Sequence, residues 1–160
     1  MLYQSRIEAN DRVVNIEVIR LEYIILNKLV YEEIRKYITS HKAERGGIIG
    51  YKDSHISNFY YDGLATCTFN EYIPNTAVLN GVIDDWDQNG IEFIGFVHSH
   101  TPNRKSLSPS DKEYAVKVLE VFDDLPYLII GVVGENDSFP LTLFSIHRDG
   151  SCEEMEYLVE

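Results

Sequence analysis

His98-Ser99-His100-Thr101-Pro102-Asn103-Arg104-Lys105-Ser106-Leu107-Ser108-Pro109-Ser110-Asp111 is the stretch on which the reading of this chain turns. The two histidines end a nearly all-apolar run, Ile91 to Val97, as in a strand covered on both faces. Residues i and i+2 of a strand project from one face, so His98 and His100 point the same way. Ser108-Pro109 opens a helix, because proline is favoured at the first helical position. Asp111 then falls in the first turn, and a short loop can bring it back to the strand end. Two imidazoles and a carboxylate are the ligand number of a catalytic zinc, whose fourth position is left for water. A structural zinc usually takes four protein ligands, and no cysteine lies nearby in the sequence.

Outward from this stretch, hydrophobic periodicity sketches the rest. Ala115, Val118, Leu119 and Phe122 give the following helix its apolar stripe. Upstream, Thr76 to Gln88 has a weaker helical pattern with Val78, Val82, Ile83 and Trp86 on one side, and Asn89-Gly90 ends it. Gly46-Gly47-Ile48-Ile49-Gly50-Tyr51 reads as a buried strand opened by glycines that permit close backbone approach. Ile56 to Thr68 is its partner strand or pair, with Asp62-Gly63 as a turn. Asn27 suits a helix N-cap, and Val30, Ile34, Tyr37 and Ile38 form one face of a helix expected to end near Ser40 to Lys42. Glu22 to Leu26 and Tyr127 to Val133 are further strands. At the ends, Leu2 to Glu8 and Val13 to Arg20 predict a hairpin joined by residues 9–12, and Leu141 to His147 with Ser151 to Val159 predict a closing hairpin around Asp149-Gly150. The fold class is α+β: a mixed β-sheet flanked by helices. The expected organisation is one domain over 1–160, with a hairpin extension at 1–20, a motif-bearing core at 22–133 and a closing hairpin at 140–160.

A zinc held by three protein ligands lowers the pKa of its bound water to about 7. That water still needs a base. Glu44 is the candidate because it lies just before the glycine-opened strand, and Glu71, preceding Tyr72, is the alternative. Ser108 is a candidate donor to the oxyanion that develops on a substrate carbonyl. Ser110 competes with it, because Ser110-x-x-Glu113 is itself a capping box.

In combination, Glu44, Gly46-Gly47-Ile48-Ile49-Gly50, His98-Ser99-His100 and Ser108-x-x-Asp111 resemble the JAMM motif of the JAB/MPN zinc metalloproteases. The resemblance covers roughly Glu22 to Val133, and residues 1–20 lie outside it. It implies the JAB/MPN, cytidine-deaminase-like fold and a small prokaryotic-type member. It also implies one Zn2+ per chain held by His98, His100 and Asp111, with Glu44 relaying protons and Ser108 steadying the oxyanion. The implied activity is hydrolysis of an isopeptide or peptide bond at the C-terminal tail of a ubiquitin-like protein, with conjugation-pathway enzymes as further partners. Processing of a sulfur-carrier protein, or a metal-free binding scaffold, are the alternatives. One departure is local. The family usually has proline directly after the second histidine, whereas here Thr101 intervenes before Pro102, which bears on the path of the loop.

Composition agrees with a globular protein. The chain has 160 residues, 44% of them hydrophobic and 25% charged, enough for a core without staples. A net charge of −12 argues against nucleic acid, whose phosphates it repels. Cys67 and Cys152 fit no motif and read as reduced thiols, which with the lack of a signal-like or spanning stretch predicts a cytoplasmic protein without a membrane partner. His41, His55 and His147 are isolated and read as surface or structural. Trp86 is expected to pack its helix to the body. Asp84, Asp85 and Asp87 form a solvated face that could also attract a basic patch on a modifier protein.

Overall fold

Asn27 marks the first switch from strand to helix. Its side-chain oxygen accepts from the Leu29 amide at 2.9 Å and so satisfies one of the donors that a helix start leaves unpaired. In the computed structural model, which describes residues 5–9, 12–16, 23–38, 43–68 and 71–160, this cap joins β3 (Tyr23–Leu26) to α1 (Lys28–Ile38). The predicted end of α1 near residues 40–42 lies outside the described residues. Val30, Ile34 and Ile38 are its buried stripe. Tyr37, expected on that stripe, is instead 38% exposed and stacks on Tyr61 at a ring separation of 5.3 Å.

The remaining elements are β4 (Gly46–Lys52), β5 (His55–Tyr61), β6 (Thr66–Cys67), β7 (Tyr72–Ile73), α2 (Thr76–Gln88), β8 (Glu92–His100), α3 (Pro109–Val121), β9 (Leu128–Gly134), β10 (Thr142–Ile146) and β11 (Cys152–Val159). At the N-terminus, β1 (Ser5–Ala9) and β2 (Arg12–Ile16) pair antiparallel, with Ala9 opposite Arg12. Residues 2–4, 10–11 and 17–20 of the expected hairpin lie outside the described residues.

Seven strands close on themselves in the order β10-β11-β3-β5-β4-β8-β9. The β3–β5, β8–β9 and β11–β3 pairs are parallel and the others antiparallel. The mixed α+β class is therefore as expected, and closure of the sheet is an addition to it. Closure rests partly on a parallel pairing of only two residue pairs, Ile25 with His55 and Leu26 with Ile56, too short to leave a sequence signal. The strands β8 and β9 approach closely at Gly95, where a Cβ would collide with the backbone carbonyl of Ile129.

All three helices dock apolar faces on this sheet. α2 buries Leu79 and Trp86, seven residues apart, with Val82 and Ile83 packed beside them. Asn75 caps it, accepting from the Val78 amide at 3.3 Å. α3 buries Ala115 and Leu119. Its C-terminal carbonyls converge on Arg148, whose guanidinium donates to Leu119, to Phe122 at 3.2 Å, to Asp123 at 2.8 Å and to Leu125 at 2.7 Å. A cation at this helix end also suits the negative pole of the helix dipole. Among the described residues, no helix is long and apolar enough to cross a membrane.

Candidate metal centre

β8 does not stop at Val97. It runs through both histidines to His100, so the pair is held by strand hydrogen bonding rather than by a loop. His98 lies opposite Gly46 of β4 and Val132 of β9, and His100 lies opposite Gly134. Both imidazoles are buried, with 6% and 1% of their surface exposed, and their ring centres are 4.6 Å apart.

Asp111 enters from the first turn of α3. Its Oδ1 lies 3.6 Å from His98 Nε2 and its Oδ2 lies 3.4 Å from His100 Nε2. Ligands about 2.05 Å from a tetrahedral zinc stand roughly 3.3 Å from one another, so these separations fit a single ion. His98, His100 and Asp111 are the group of three or more His, Cys, Asp or Glu side chains found close enough for this among the described residues, with ligand atoms all within 4.8 Å.

A second observation supports the fit. His100 Nδ1 meets the Arg104 carbonyl at 2.8 Å. A carbonyl only accepts, so Nδ1 carries the hydrogen and Nε2 presents its lone pair. That Nε2 is buried and has no hydrogen-bond partner, a costly state that a bound cation relieves. Burial pushes the His98 imidazole down to about 4 against the opposing pull of Asp111, keeping it in the neutral, ligating form. Burial also acts to raise the Asp111 carboxyl. The adjacent His100, the nearby His98 and the Ser108 cap outweigh that and hold it well below the usual carboxylate range.

The same aspartate is structural. The Ser108 amide donates to Asp111 Oδ2 at 2.7 Å, and the Asp111 amide donates to Ser108 Oγ at 3.1 Å. This is the capping box of α3, and of the two competing serines it is Ser108 that opens the helix. Ser110 Oγ instead lies 3.0 Å from Ser108 Oγ. The cap orients the ligand, because one carboxylate closes the helix start and faces both imidazoles.

Glu44 stands beside this group, 4% exposed. Its amide donates to the Thr68 carbonyl at 2.8 Å. The next residue, Arg45, donates its amide to Ser99 Oγ at 2.9 Å. Burial raises the Glu44 carboxyl above its ordinary value, against the lowering effects of His100 and Arg104. Arg104 approaches Glu44 Oε1 at 3.5 Å. Glu71, the alternative base, is exposed on the rim of the same cleft. The cleft has a volume of about 300 Å³ and is lined by Glu44, His98, Asp111, Ser108 and Arg104, with Tyr72, Ile73, Phe96 and Tyr114 as an apolar wall.

The structure thus brings Glu44, His98, His100, Ser108 and Asp111 to one cleft. Sequence reasoning missed Arg104, whose main chain and side chain both serve the site. It also missed Asp62, read only as a turn residue but 1% exposed and bonded to Tyr72. His55 contacts the Asp53 carbonyl and His147 packs near Tyr127, both away from the cleft, while His41 lies outside the described residues. Cys67 and Cys152 are free thiols.

Residues 27–144 match the family described as prokaryotic homologs of the JAB domain. Among solved structures, protein DSY2949 from Desulfitobacterium hafniense has the same fold, with a TM-score of 0.66 and 22% identity over 86% of this chain and 92% of that one. AF2198, a JAB1/MPN domain protein from Archaeoglobus fulgidus, gives a TM-score of 0.48 and 16% identity over 85% of this chain and 97% of that one. No curated protein matches the sequence.

Proposed function

Since the chain belongs to the prokaryotic JAB-domain family, we propose that it is a zinc-dependent peptidase that hydrolyses an amide bond at the C-terminal tail of a ubiquitin-like protein. The observation that carries the reading is the convergence of His98 Nε2, His100 Nε2 and the Asp111 carboxylate beside a buried Glu44. His98, His100 and Asp111 would hold the ion. When bound, zinc supplies Lewis acidity to the scissile carbonyl and to water.

The remaining roles belong to the chain itself. The Glu44 carboxylate takes the proton that the attacking water gives up and passes it to the leaving amine. Burial favours its neutral form, and a carboxyl tuned upward works best as an acid–base group near neutral pH. Arg104, on one Glu44 oxygen, limits how far that carboxylate turns. Ser108 accepts from the Asp111 amide and pairs with Ser110 Oγ at 3.0 Å, so its hydrogen reaches the oxyanion when Ser110 is the donor of that pair. The cleft wall of Ile73, Phe96 and Tyr114 excludes water from an extended tail.

Metal analysis of purified protein and cleavage of a fusion to the C-terminus of a ubiquitin-like protein test the reading. The expected result is about one zinc per chain and cleavage that Glu44→Gln abolishes while zinc stays bound. Protein without zinc, or an active Glu44→Gln variant, overturns it. A zinc-loaded protein that cuts only a sulfur-carrier precursor keeps the chemistry and changes the substrate.

A further inference from the structure

The two histidines are oriented by different means. His100 has a hydrogen bond on its second ring nitrogen, the usual device for a metal ligand. His98 does not, because its Nδ1 is buried without a partner. What lies against His98 is an aromatic ring. Tyr72, on β7, stacks on it with ring centres 6.3 Å apart and planes within 22°, inside the range of offset aromatic pairs.

Gly46 and Asp62 hold that ring in place. Gly46 is the residue opposite His98 on β4, and a Cβ there would stand 2.5 Å from a Tyr72 ring carbon. The glycine therefore vacates the space that the ring fills beside the histidine. The Tyr72 hydroxyl donates to Asp62 Oδ2 at 2.9 Å. Asp62 is fixed in turn, because Oδ2 also accepts from the Asn75 amide at 2.8 Å and its own amide donates to the Gly46 carbonyl at 3.0 Å. Gly46, Asp62, Tyr72 and His98 form one closed set of contacts that links the end of β5, the start of α2 and the strand carrying the ligands.

We propose that Tyr72, tethered by Asp62, is the positioning residue for His98, doing by packing what the Arg104 carbonyl does for His100 by hydrogen bonding. The proposal rests on the zinc site of the preceding section. It adds two residues to that site and accounts for the glycine at position 46. A buried carboxylate with one oxygen, Oδ1, left without a partner costs stability, and the proposal gives that cost a purpose.

Zinc affinity, measured by competition with a chromophoric chelator, and the visible spectrum of the Co2+-loaded protein test the idea, with circular dichroism reporting the fold. Tyr72→Leu should bind zinc about 10- to 100-fold more weakly, the usual cost of losing a group that orients a ligand, and should alter the cobalt bands. Tyr72→Phe keeps the ring without the tether and should fall between Leu and wild type. A folded Tyr72→Leu with wild-type affinity and an unchanged cobalt spectrum overturns the proposal. Should Tyr72→Leu not fold, Tyr72→Phe decides: weaker zinc binding supports the tether, and wild-type affinity overturns it. Wild-type protein that takes up no zinc defeats the peptidase reading and this inference together. Zinc-binding wild type beside an indifferent Tyr72 series defeats this inference alone.

Discussion

Ser99 and Arg45 exchange two hydrogen bonds of 2.9 Å each: the Arg45 amide donates to the Ser99 hydroxyl, and the Ser99 amide donates to the Arg45 carbonyl. Ser99 is the residue between the two histidines, so its side chain leaves the opposite face of the strand. One three-residue run therefore presents two imidazoles on one side and, on the other, holds the segment that carries Glu44.

Ser99→Ala removes an acceptor and leaves the half-buried Arg45 amide unpaired. The expected cost is about 1–3 kcal/mol of stability. Zinc content should stay at the wild-type level, while cleavage falls because Glu44 loses its anchor. Thermal unfolding, metal analysis and initial rates on one preparation check all three.

The pH dependence of Glu44 follows from burial. The folded state raises its carboxyl above the ordinary value of about 4.3. Folding therefore favours the protonated form, and stability from this group is present below about 4.3 and is lost as pH climbs through the higher folded value. Metal-free wild type should lose stability relative to metal-free Glu44→Gln as pH rises from about 4 towards neutrality. Urea unfolding of both proteins across that range measures the difference, and parallel curves would contradict the assignment.

Metal should also stabilise the fold. Zinc at one hundred times its dissociation constant adds about 2.7 kcal/mol, roughly 5–10 °C in Tm for a domain of this size. Asp111→Asn and His100→Ala should lose most of that increment. Asp111→Asn should cost more without metal than His100→Ala in the order of the α3 N-terminus, because Asp111 also completes the capping box. Calorimetry with and without chelator reads the increment, and hydrogen exchange at residues 108–112 reads the cap.

Gly95→Ala should be among the most damaging substitutions away from the cleft. The obstacle to a methyl group is the Ile129 backbone carbonyl in the paired strand, which cannot rotate aside as a side chain would. A loss of at least about 3 kcal/mol is expected. Gly90→Ala meets no atom but sits at φ +70°, so it carries only the conformational cost of about 1 kcal/mol. Denaturant midpoints of the two variants rank them.

Local pattern made much of this structure legible. The bounds of α2, the buried strand opened at Gly46 and the side-by-side histidines follow from periodicity and from strand geometry. The meeting of His98, His100 and Asp111 was expected from spacing together with the family resemblance, because a strand end, a short loop and a capped helix leave little freedom to place Asp111. What stayed hidden depends on contacts between segments. Tyr72 meets Asp62 across a turn and a short strand, and nothing in either residue's neighbours announces a buried carboxylate. Arg104 serves His100 through its carbonyl, an atom every residue has. Leu79 replaced Val78 on the inner face of α2, because a weak stripe does not fix the helix rotation until the sheet is in place.

The grip of Arg148 on the far end of α3 has a consequence for the opposite end. α3 is a short rod, with Asp111 at its head and its tail lashed to the turn between β10 and β11. Arg148 thus steadies from the far end the helix whose first turn sets Asp111 against His98 and His100.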